Sequence, residues 1–519
     1  MSRICLIMAP YFVPLAPPLG ISLLKAHLER EGHSVQCIDF NVDPTFWSLH
    51  LQYMRALETL DKNIVIEGQS RLWAIRNAHL LAVLNGASPE KAQKFVRRIT
   101  PYYGIDCTEA VSARLCDIAC KVFAHAETLL NGYDFREFSL VGCSTFSTSL
   151  ALSLFTLRAA KRSNPAIRTL IGGGVFADDL APKSQNFKTL VEEYPFVDQI
   201  VVGEGELILS MLVDGQFRDR KHISMDDVNG DTLPLQDSAI PDFSDFNTDR
   251  YFHLTLEGGR SCPFQCAFCS ETIQWGKYRK KTSGMVAGQM GTLAASHGNT
   301  KFFMGDSLMN PYIESLSTEL LKSNHKLMFD GYLRADPLPT DPERTARWAS
   351  SGCYRVRLGI ESGAADVLEM IDKRTGPTTI SRALNSLANA GIRTTTYWIV
   401  GFPGETEKSF QETLTFIEGN QESIYEVEAH PFTYFPTGQV ASDRWKPVQV
   451  YDEDIQKAIK FTVWDVVAAD PPREERYRRL RRVATLAAKL GVKNLYSFKD
   501  RLDAEGRWAG LHPKAVAAY

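Results

Sequence analysis

Short apolar runs alternate with amphipathic stretches over about the first 225 residues. The runs with the length of buried strands are Ile4–Met8, Ser34–Asp39, Ser139–Cys143, Thr169–Ile171 and Gln199–Val202. Buried strands that alternate with helical patterns predict a parallel sheet covered on both faces. We therefore predict an α/β fold that begins with a doubly wound, Rossmann-like domain over residues 1–225, interrupted by a mainly helical insertion at about 43–135.

A second alternating series follows residues 226–250, which are rich in turn formers and acidic residues and are predicted to be a linker. Its strand candidates are Phe252–Leu256, Lys301–Met304, Met328–Leu333, Arg355–Gly359, Thr394–Val400 and Ile424–Ala429. This number of βα units predicts an open, partial (βα)6 barrel over residues 251–450 rather than a closed eight-fold barrel. Residues 451–519 are predicted to form a helical C-terminal domain.

Composition is that of an ordinary globular protein, with 44% hydrophobic and 23% charged residues. The formal net charge is −3, which gives no global basic field for nucleic acid. No apolar stretch approaches the ~20 residues needed to cross a bilayer, and the first apolar run is better interpreted as a strand than as a secretion signal. We expect a cytoplasmic protein with no nucleic-acid partner and no membrane span.

Three of the 10 cysteines lie close together, at Cys262, Cys266 and Cys269. Thiolates at this spacing in a loop can converge on one metal centre. A [4Fe–4S] cluster usually has four cysteine ligands, so three with no obvious fourth imply one iron open to a small molecule. The alternative is a structural zinc site completed by a distant ligand, although such sites normally contain paired C-x-x-C elements or a histidine at defined spacing.

The motif C-x-x-x-C-x-Φ-C, with Phe268 before the last cysteine and a strand before the loop, resembles the radical S-adenosylmethionine (SAM) superfamily over about residues 250–440. The resemblance implies that the three cysteines hold a [4Fe–4S] cluster and that SAM binds its open iron, next to Phe268. It also implies that an electron from the cluster cleaves SAM to methionine and a 5′-deoxyadenosyl radical. An electron donor such as flavodoxin or ferredoxin is then expected as a partner.

The resemblance extends to later strand ends. It places Asp306 in the motif that holds the methionine amino group, Arg334 near the carboxylate or ribose, and Glu361 at the polar position after the fourth strand. Gly401 and Gly404 match the turn whose backbone approaches the adenine. Structural alternatives are a helix cap for Asp306, a surface ion pair for Arg334 and for Glu361, and an ordinary turn for the two glycines.

The N-terminal part resembles the cobalamin-binding domain often fused before a radical SAM barrel. The resemblance rests on Pro17-Pro18-Leu19-Gly20 before an amphipathic helix and on Gly32-His33-Ser34-Val35 leading into Asp39. The loops after the predicted strands offer hydroxyl groups and close backbone approach to a nucleotide tail. The implied cobalamin-binding residues are Pro18, Ser144, Thr145, Ser147, Thr148, Gly172, Gly173, Gly174, Val175, Gly203, Glu204 and Glu206.

One departure concerns the cobalt atom. The D-x-H-x-x-G motif, whose histidine ligates cobalt in many cobalamin proteins, is absent, and His33 is interpreted as a polar turn residue. The lower face of cobalt is therefore expected to be open or contacted by another group, and the insertion offers Arg71 and Trp73 as candidates. The alternative is a domain that keeps the fold without the cofactor.

The leading functional hypothesis is cobalamin-dependent C-methylation of an unactivated carbon in a small-molecule, natural-product or peptide substrate. Radical cyclisation, rearrangement or ring formation without methyl transfer is the first alternative. A non-catalytic iron–sulfur or cobalamin sensor is the second, and the complete barrel series disfavours it. The basic run 473–482 either docks an acidic peptide or phosphate or, as we favour, forms a solvated helix face paired with Glu474 and Glu475.

Overall fold

The computed structural model of the chain describes residues 2–61, 70–230, 232–323, 326–466 and 470–516. Parts of each predicted region lie outside the described residues, namely 1 and 62–69 of the N-terminal domain and its insertion, 231 of the linker, 324–325 of the barrel, and 467–469 and 517–519 of the C-terminal region.

The described residues form two large parallel sheets, of which the first belongs to the N-terminal part. Its strands are β1 (Arg3–Met8), β2 (Ser34–Asp39), β3 (Leu140–Ser144), β4 (Arg168–Gly172), β5 (Gln199–Val202) and β6 (His222–Ser224). They lie in the order β2-β1-β3-β4-β5-β6, with each neighbouring pair parallel. The chain therefore changes direction across the sheet between β1 and β3, the switch point where open α/β sheets bind ligands. The predicted doubly wound sheet is confirmed, and β6 extends it by an edge strand that the sequence analysis missed.

Helices cover both faces of this sheet. They are α1 (Leu19–Arg30), α2 (Pro44–Glu58), α3 (Ser70–Leu84), α4 (Pro89–Ile99), α5 (Glu109–Leu130), α6 (Leu150–Ser163), α7 (Gln185–Glu193) and α8 (Gly205–Val213). Successive residues of a strand point to opposite faces. Ile4 and Leu6 pack in the core under α1 and α8, whereas Cys5 and Ile7 pack in the larger core that contains the insertion helices. This explains why β1 is apolar from Ile4 to Met8.

The second sheet is the predicted partial barrel. Its strands are β7 (Leu254–Leu256), β10 (Lys301–Met304), β11 (Met328–Arg334), β12 (Arg355–Glu361), β13 (Arg393–Val400) and β14 (Glu426–Pro431), while β8 (Gly259–Arg260) and β9 (Arg279–Lys280) form a separate antiparallel pair. The order is β14-β13-β12-β11-β10-β7, and the neighbours are parallel. The open six-strand arrangement is confirmed for the described residues.

Helices pack on the outside of the barrel and leave polar side chains inside. The helices are α9 (Glu271–Trp275), α10 (Ser283–His297), α11 (Ile313–Lys322), α12 (Pro342–Ser350), α13 (Ala365–Met370), α14 (Pro377–Asn389) and α15 (Glu407–Gly419). In β12, Val356 and Leu358 pack into the outer core. The alternate residues, Arg355 and Arg357, point to the opposite face of the strand. Their charged side chains therefore face the lumen.

The C-terminal region is helical, as expected, and also contains a β-hairpin. Its elements are β15 (Pro447–Gln449), α16 (Glu453–Ile459), β16 (Trp464–Val466), α17 (Arg473–Lys489) and α18 (Phe498–Leu511), with β15 and β16 antiparallel. None of the described helices is both long and apolar enough to cross a membrane.

The interpretation of the basic run as a solvated face is wrong for two of its arginines. Arg476 and Arg479 are buried, and they pair with Asp465 at 2.6 Å and with Glu405 at 2.9 Å. Helix α17 packs on the barrel core through residues such as Leu480. Arg476 lies four residues before Leu480 and Arg479 lies four residues before Val483, another residue of that core, and residues four apart share a helix face.

Candidate active site

The three clustered cysteines lie in the loop that follows β7 and β8, at the carboxyl edge of the second sheet. Backbone hydrogen bonds fix this loop from two sides: the Ala267 N–H donates to the Ile371 carbonyl at 2.8 Å, and the Ala441 N–H donates to the Ala267 carbonyl at 3.3 Å. Cys266 is buried and the outer two cysteines are half-buried. The loop therefore shelters its thiols from bulk water in a defined conformation.

Burial governs the protonation of the cysteine thiols. It raises the pKa of the Cys269 thiol to about 12 and also raises that of Cys262, so metal binding must displace protons. Within the described ranges, no group of three His, Cys, Asp or Glu side chains is arranged to hold a single metal ion. The preference for a cluster over zinc therefore still rests on the spacing of the cysteines.

Arg334 ends β11 directly beside this loop. Its Nη1 donates to Cys266 Sγ at 3.5 Å, and its guanidinium carbon lies 4.0 Å from the centroid of the Phe264 ring. The side chain is buried, and its Nε and Nη2 have no hydrogen-bond partner among the described residues. Buried polar groups are nearly always hydrogen-bonded, so this cation has donors to offer an anionic ligand. Arg334 therefore does not form the surface ion pair that was its structural alternative.

Glu361 ends β12 and forms a buried ion pair rather than a surface one. Its carboxylate accepts a hydrogen bond from Lys373 Nζ at 2.7 Å, and that ammonium lies 5.8 Å from the centroid of the Phe268 ring. The backbone of Glu361 has φ of +68°, a conformation uncommon for residues with a side chain. Such strained residues often lie in functional sites. The ion pair therefore places Glu361 close to Phe268 of the cysteine loop.

The turn after β13 is fixed by a buried carboxylate. Gly401 and Gly404 have φ of +76° and +96°, which glycine adopts without strain. The Gly401 N–H donates to Glu405 Oε2 at 2.9 Å, and Arg479 Nη1 donates to the same oxygen at 2.9 Å. This turn is therefore rigid, and its contact with adenine stays a prediction.

Asp306 is held within the protein. Its carboxylate accepts hydrogen bonds from the Gly258 N–H at 2.9 Å and from the Tyr312 hydroxyl at 2.8 Å. Burial raises its pKa to about 7. Asp306 therefore ties the end of β10 to the start of the cysteine loop, rather than capping a helix. Its contact with the methionine amino group stays a prediction.

A cavity of about 860 Å³ opens between the carboxyl edges of the two sheets. Loops that follow β1, β3, β4 and β5 line one side, and Thr255, Phe303, Tyr332 and Arg357 of the barrel line the other. The volume is near the upper end of the range for small-molecule sites. The two sheet edges thus face one shared space beside the cysteine loop.

The residues predicted to bind cobalamin gather at this cavity, with one exception. Those that line it are Pro18, Ser144, Ser147, Thr148, Gly172, Gly173, Gly174, Val175, Gly203, Glu204 and Glu206. Thr145 is instead fully buried behind the wall, where its backbone N–H donates to the Gly172 carbonyl at 2.8 Å. Gly173 has φ of +109°, and a Cβ there would lie 2.5 Å from the Thr145 nitrogen. Only glycine fits at this position without moving the loop.

Glu204 and Glu206 belong to a buried ion cluster that joins the two sheets. Arg260 Nη1 donates to Glu204 at 2.9 Å, and its Nη2 contacts Glu206 and, at 2.8 Å, Glu257. Arg260 lies two residues before Cys262 in the sequence. The loop after β5 and the cysteine loop are therefore held together, and removing Arg260 would leave uncompensated buried charge.

The insertion contributes Trp73 to the cavity, but Arg71 is absent from its described lining. Arg71 Nη1 donates to the Tyr103 carbonyl at 2.7 Å, and the guanidinium lies 5.1 Å from the centroid of the Tyr477 ring. Arg71 therefore does not line the described cavity, and the suggestion that it faces cobalt stays an untested prediction. Arg71 and Trp73 are two residues apart, and residues at that spacing do not share a helix face. Arg76 lies three residues after Trp73 and lines the cavity with it.

Other residues on both sides of the cavity were not predicted from the sequence. Those that line it are Tyr11, Phe12, Trp47, His50 and Arg76 in the N-terminal part and His253, Tyr332 and Arg357 in the barrel. Tyr11 and Phe12 follow β1, so their position after a strand could have marked them. Tyr332 and Arg357 of the barrel could have been found because alternate residues of a strand point to the same face. The sequence of the insertion has no pattern that distinguishes Trp47, His50 and Arg76.

The barrel end of the cavity has buried polar atoms without partners. Arg357 Nη2 donates to Asp330 at 2.9 Å, and His253 Nε2 lies 2.5 Å from the Tyr354 hydroxyl. Within the described part of the chain, Arg357 Nε and His253 Nδ1 have no hydrogen-bond partner. Burial lowers the pKa of His253 to about 4, so its imidazole is neutral at pH 7.

Comparison with known proteins gives the class of this site. Residues 256–417 match the model of the Radical SAM superfamily. The chain is 26% identical over 302 residues to the anaerobic magnesium-protoporphyrin IX monomethyl ester cyclase of Rubrivivax gelatinosus. The matched region covers 53% of this chain and 53% of that protein. It thus spans about half the length of that relative.

Two solved structures are similar over most of the chain. The radical SAM methyltransferase TsrM from Kitasatospora setae, with cobalamin and a [4Fe–4S] cluster bound, has a TM-score of 0.63 at 14% sequence identity. The superposed region covers 98% of this chain and 99% of the TsrM chain. The cobalamin-dependent radical SAM enzyme OxsB, with aqua-cobalamin and SAM bound, has a TM-score of 0.54 at 16% identity and covers 89% and 55%. At these identities the likeness shows the fold.

The second sheet and its cysteine loop therefore form a radical SAM domain, whose defining cofactors are SAM and a [4Fe–4S] cluster. The chain as a whole has the two-sheet fold of cobalamin-dependent radical SAM enzymes.

Proposed function

We propose that this chain is a cobalamin-dependent radical SAM enzyme that methylates an unactivated carbon of a small-molecule or peptide substrate. The observation that carries the proposal is the cavity, because it joins the N-terminal loops to the barrel beside the cysteine loop. A methyl donor on one wall and a radical source on the other would both reach a substrate held between them.

The [4Fe–4S] cluster and SAM supply, when bound, the radical that removes a hydrogen atom from the substrate, and cobalamin supplies the methyl group. The chain binds and orients these groups. Cys262, Cys266 and Cys269 would hold the cluster. Two nitrogens of Arg334, Nε and Nη2, have no hydrogen-bond partner among the described residues, and Arg334 would bind the carboxylate of SAM. Glu361 and the Gly401 turn would contact the rest of SAM.

The N-terminal wall suits a large ligand with a nucleotide tail. Its glycine loops let a ligand approach the backbone closely, and Ser144, Ser147 and Thr148 offer hydroxyl groups. The hydroxyl of Tyr11 also borders the cavity, is buried, and lacks a hydrogen-bond partner among the described residues. These groups fit cobalamin, whose ring would lie between the insertion and the barrel.

The polar barrel end supports a substrate with a hydrogen-bonding group. Arg357 is neutralised by Asp330, and its Nε lacks a hydrogen-bond partner among the described residues. This Nε and the neutral His253 therefore suit an uncharged polar group better than a second anion. Burying such atoms without a partner costs about 1–3 kcal/mol each, which a matching substrate group would recover.

Radical cyclisation or rearrangement is the second candidate, and the similarity to a cyclase of Rubrivivax gelatinosus favours it. A cobalamin or iron–sulfur sensor would have no use for a polar site within the barrel.

In either enzymatic case the cluster needs an electron donor, for which a cytoplasmic flavodoxin or ferredoxin is our proposal. The domain boundaries 1–225, 226–250, 251–450 and 451–519 are likewise proposed.

The test uses SAM labelled in its methyl group, a chemical reductant such as dithionite to supply electrons to the cluster, and the anaerobically reconstituted protein with reduced cobalamin. We expect label to move to the corrinoid together with formation of S-adenosylhomocysteine, and 5′-deoxyadenosine to form from the same protein. The variant Cys269→Ala should lose 5′-deoxyadenosine. Formation of 5′-deoxyadenosine without S-adenosylhomocysteine would favour the cyclase, and formation of neither would favour the sensor.

A further inference from the structure

The cysteine loop is attached at both of its ends to the N-terminal wall of the cavity. Arg260 lies two residues before Cys262, and Ser270 directly follows Cys269. Both side chains line the cavity, and both contact carboxylates from the segments that follow β4 and β5. The glycines of these segments belong to the proposed cobalamin site. The two proposed cofactor sites are therefore joined directly by side chains.

The first attachment is the ion cluster around Arg260, which is only 8% exposed. Its guanidinium contacts Glu204 and Glu206, which follow β5. It also donates from Nη2 to Glu257 at 2.8 Å, three residues earlier in its own segment. Arginine suits this position because its N–H donors form a rigid planar fork. Lysine has a single nitrogen and cannot contact the three carboxylates in the same arrangement.

The second attachment is a hydrogen bond at the other end of the loop. Ser270 Oγ donates to Asp178 Oδ1 at 2.9 Å, and Asp178 lies in the segment that follows β4. The same segment contains Gly173, where only glycine fits without moving the loop. Each end of the cysteine loop is thus held by a different segment of the N-terminal wall. Two separate anchor points restrain the rotation of the loop as well as its displacement.

The two parts of the chain are also joined at places away from the cysteine loop. Lys25 on α1 is only 3% exposed, and its Nζ lies 2.6 Å from Asp245 in the segment before β7. The Tyr251 hydroxyl, also before β7, donates to Asp39 at the end of β2 at 2.8 Å. Loss of the contacts at the cysteine loop should therefore leave the two sheets packed together. What those contacts add is the position of the loop itself.

We propose that Arg260 and Ser270 are positioning residues that set the distance between the [4Fe–4S] cluster and cobalamin. The inference rests on the proposed binding of cobalamin and extends it to the geometry between the two cofactors. A methyl donor and a radical source must reach one substrate, and a misplacement of about 1 Å can lower the rate of such a reaction on the order of 100-fold. Side chains that tie one cofactor loop to the other keep this spacing constant.

The experiment is pulsed electron paramagnetic resonance of protein loaded with the reduced [4Fe–4S] cluster and with cob(II)alamin. The dipolar interaction between the two spins falls with the cube of their distance, so it reports the spacing without substrate or turnover. Wild type should give one narrow distance distribution. In Arg260→Met the buried carboxylates lose a cation and repel one another, so we expect a broader distribution shifted to longer distance. Ser270→Ala should broaden it less, because it removes a single hydrogen bond.

Further variants separate positioning from general loss of stability. Lys25→Met also removes a buried cation that joins two parts of the chain, but it lies outside the described cavity lining, so its distribution should match wild type. Arg260→Lys keeps the charge and should give a width between those of wild type and Arg260→Met. If Arg260→Met does not fold, Arg260→Lys and Ser270→Ala decide the matter, because wild-type distributions in both would overturn the proposal.

The outcomes distinguish the inference from the proposed function. A wild-type protein that takes up no cobalamin contradicts the proposed function, and the inference falls with it. If cobalamin is bound, a wild-type distribution in a folded Arg260→Met protein overturns the inference alone. Equal broadening in Lys25→Met does the same, because the effect would then come from general loosening between the two sheets.

Discussion

The two walls of the cavity are both carboxyl edges of parallel sheets, but they differ in chemistry. The N-terminal wall presents glycine backbone and hydroxyl groups, as at Gly173 and Ser144, and its carboxylates Glu204 and Glu206 are paired with Arg260. The barrel wall and the adjoining cysteine loop contain buried charges, among them Arg334 and Arg357. Many weak backbone contacts suit a large ligand, whereas fixed charges suit the discrete charged groups of a small one. The same fold element is thus adapted to two kinds of cofactor.

The largest expected effect would come from the cysteine loop. Replacing Cys262, Cys266 or Cys269 by Ala should abolish the absorption of the [4Fe–4S] cluster and the cleavage of SAM, because a thiolate ligand is lost. Cys353→Ala should retain both, since that cysteine is buried in the barrel core away from the loop. Iron analysis and 5′-deoxyadenosine formation measure the two effects. Intact cluster and activity in a variant of the triplet would contradict the site.

Arg334→Met tests the buried charge beside the cysteine loop. We expect SAM binding to weaken by about 2–3 kcal/mol, the usual scale for a hydrogen bond to a charged group, with iron content unchanged. Equilibrium binding of SAM to the reconstituted protein measures this. Arg347→Met is the control, because that arginine forms a partly exposed pair with Glu314. Unchanged affinity in Arg334→Met would assign Arg334 to support of the cysteine loop alone.

Gly173→Ala tests the backbone wall. The added Cβ would lie 2.5 Å from the Thr145 nitrogen in a left-handed conformation, so the loop must move, at a cost of about 1–3 kcal/mol. Cobalamin affinity should fall about tenfold or more, with SAM binding unaffected. Gly32→Ala has a similar φ of +87° with no described atom within 4 Å of its Cβ, and it should keep its cobalamin affinity. Equal losses in both variants would point to general strain.

The smallest expected effect is a pH dependence at Asp306. Burial raises its pKa from 3.8 to about 7, so the folded state keeps a proton that the unfolded state releases above pH 4. The stability contributed by this group is therefore full below pH 4 and is lost as the pH rises towards 7. Between pH 6 and 7 the free energy of unfolding should fall by on the order of 1 kcal/mol through this group.

Asp306→Asn should flatten that slope in denaturant titrations of the metal-free protein. An unchanged slope would show that Asp306 does not hold the proton. The same variant measures the predicted contact with SAM, since loss of SAM affinity at constant stability would support it.

Strands with long apolar runs could be predicted from the sequence, and so could the loops that follow them. β6 was missed because His222–Ser224 contains a single apolar residue, Ile223, and gains its place from pairing with β5. The hairpin of β15 and β16 depends on a distant pairing in the same way. Local patterns do not report such contacts.

Within the site, residue types with a distinctive spacing were found and residues placed by tertiary packing were not. The cysteine spacing and the glycine loops are visible in the sequence. Arg71 and Arg76 lie on the same helix, and only packing decides which one faces the cavity. The partners of Glu204 and Glu206 also come from the other sheet, so their ion cluster with Arg260 had no sequence signal.

The most direct test of a site with two cofactors is the iron and cobalt content of one anaerobic preparation from cells supplied with cobalamin. We expect about four irons and one cobalt per chain. Cys262→Ala should lose iron and keep cobalt, whereas Gly173→Ala should lose cobalt and keep iron. A wild-type protein with its full iron content and no cobalt would contradict the proposed cobalamin-dependent function.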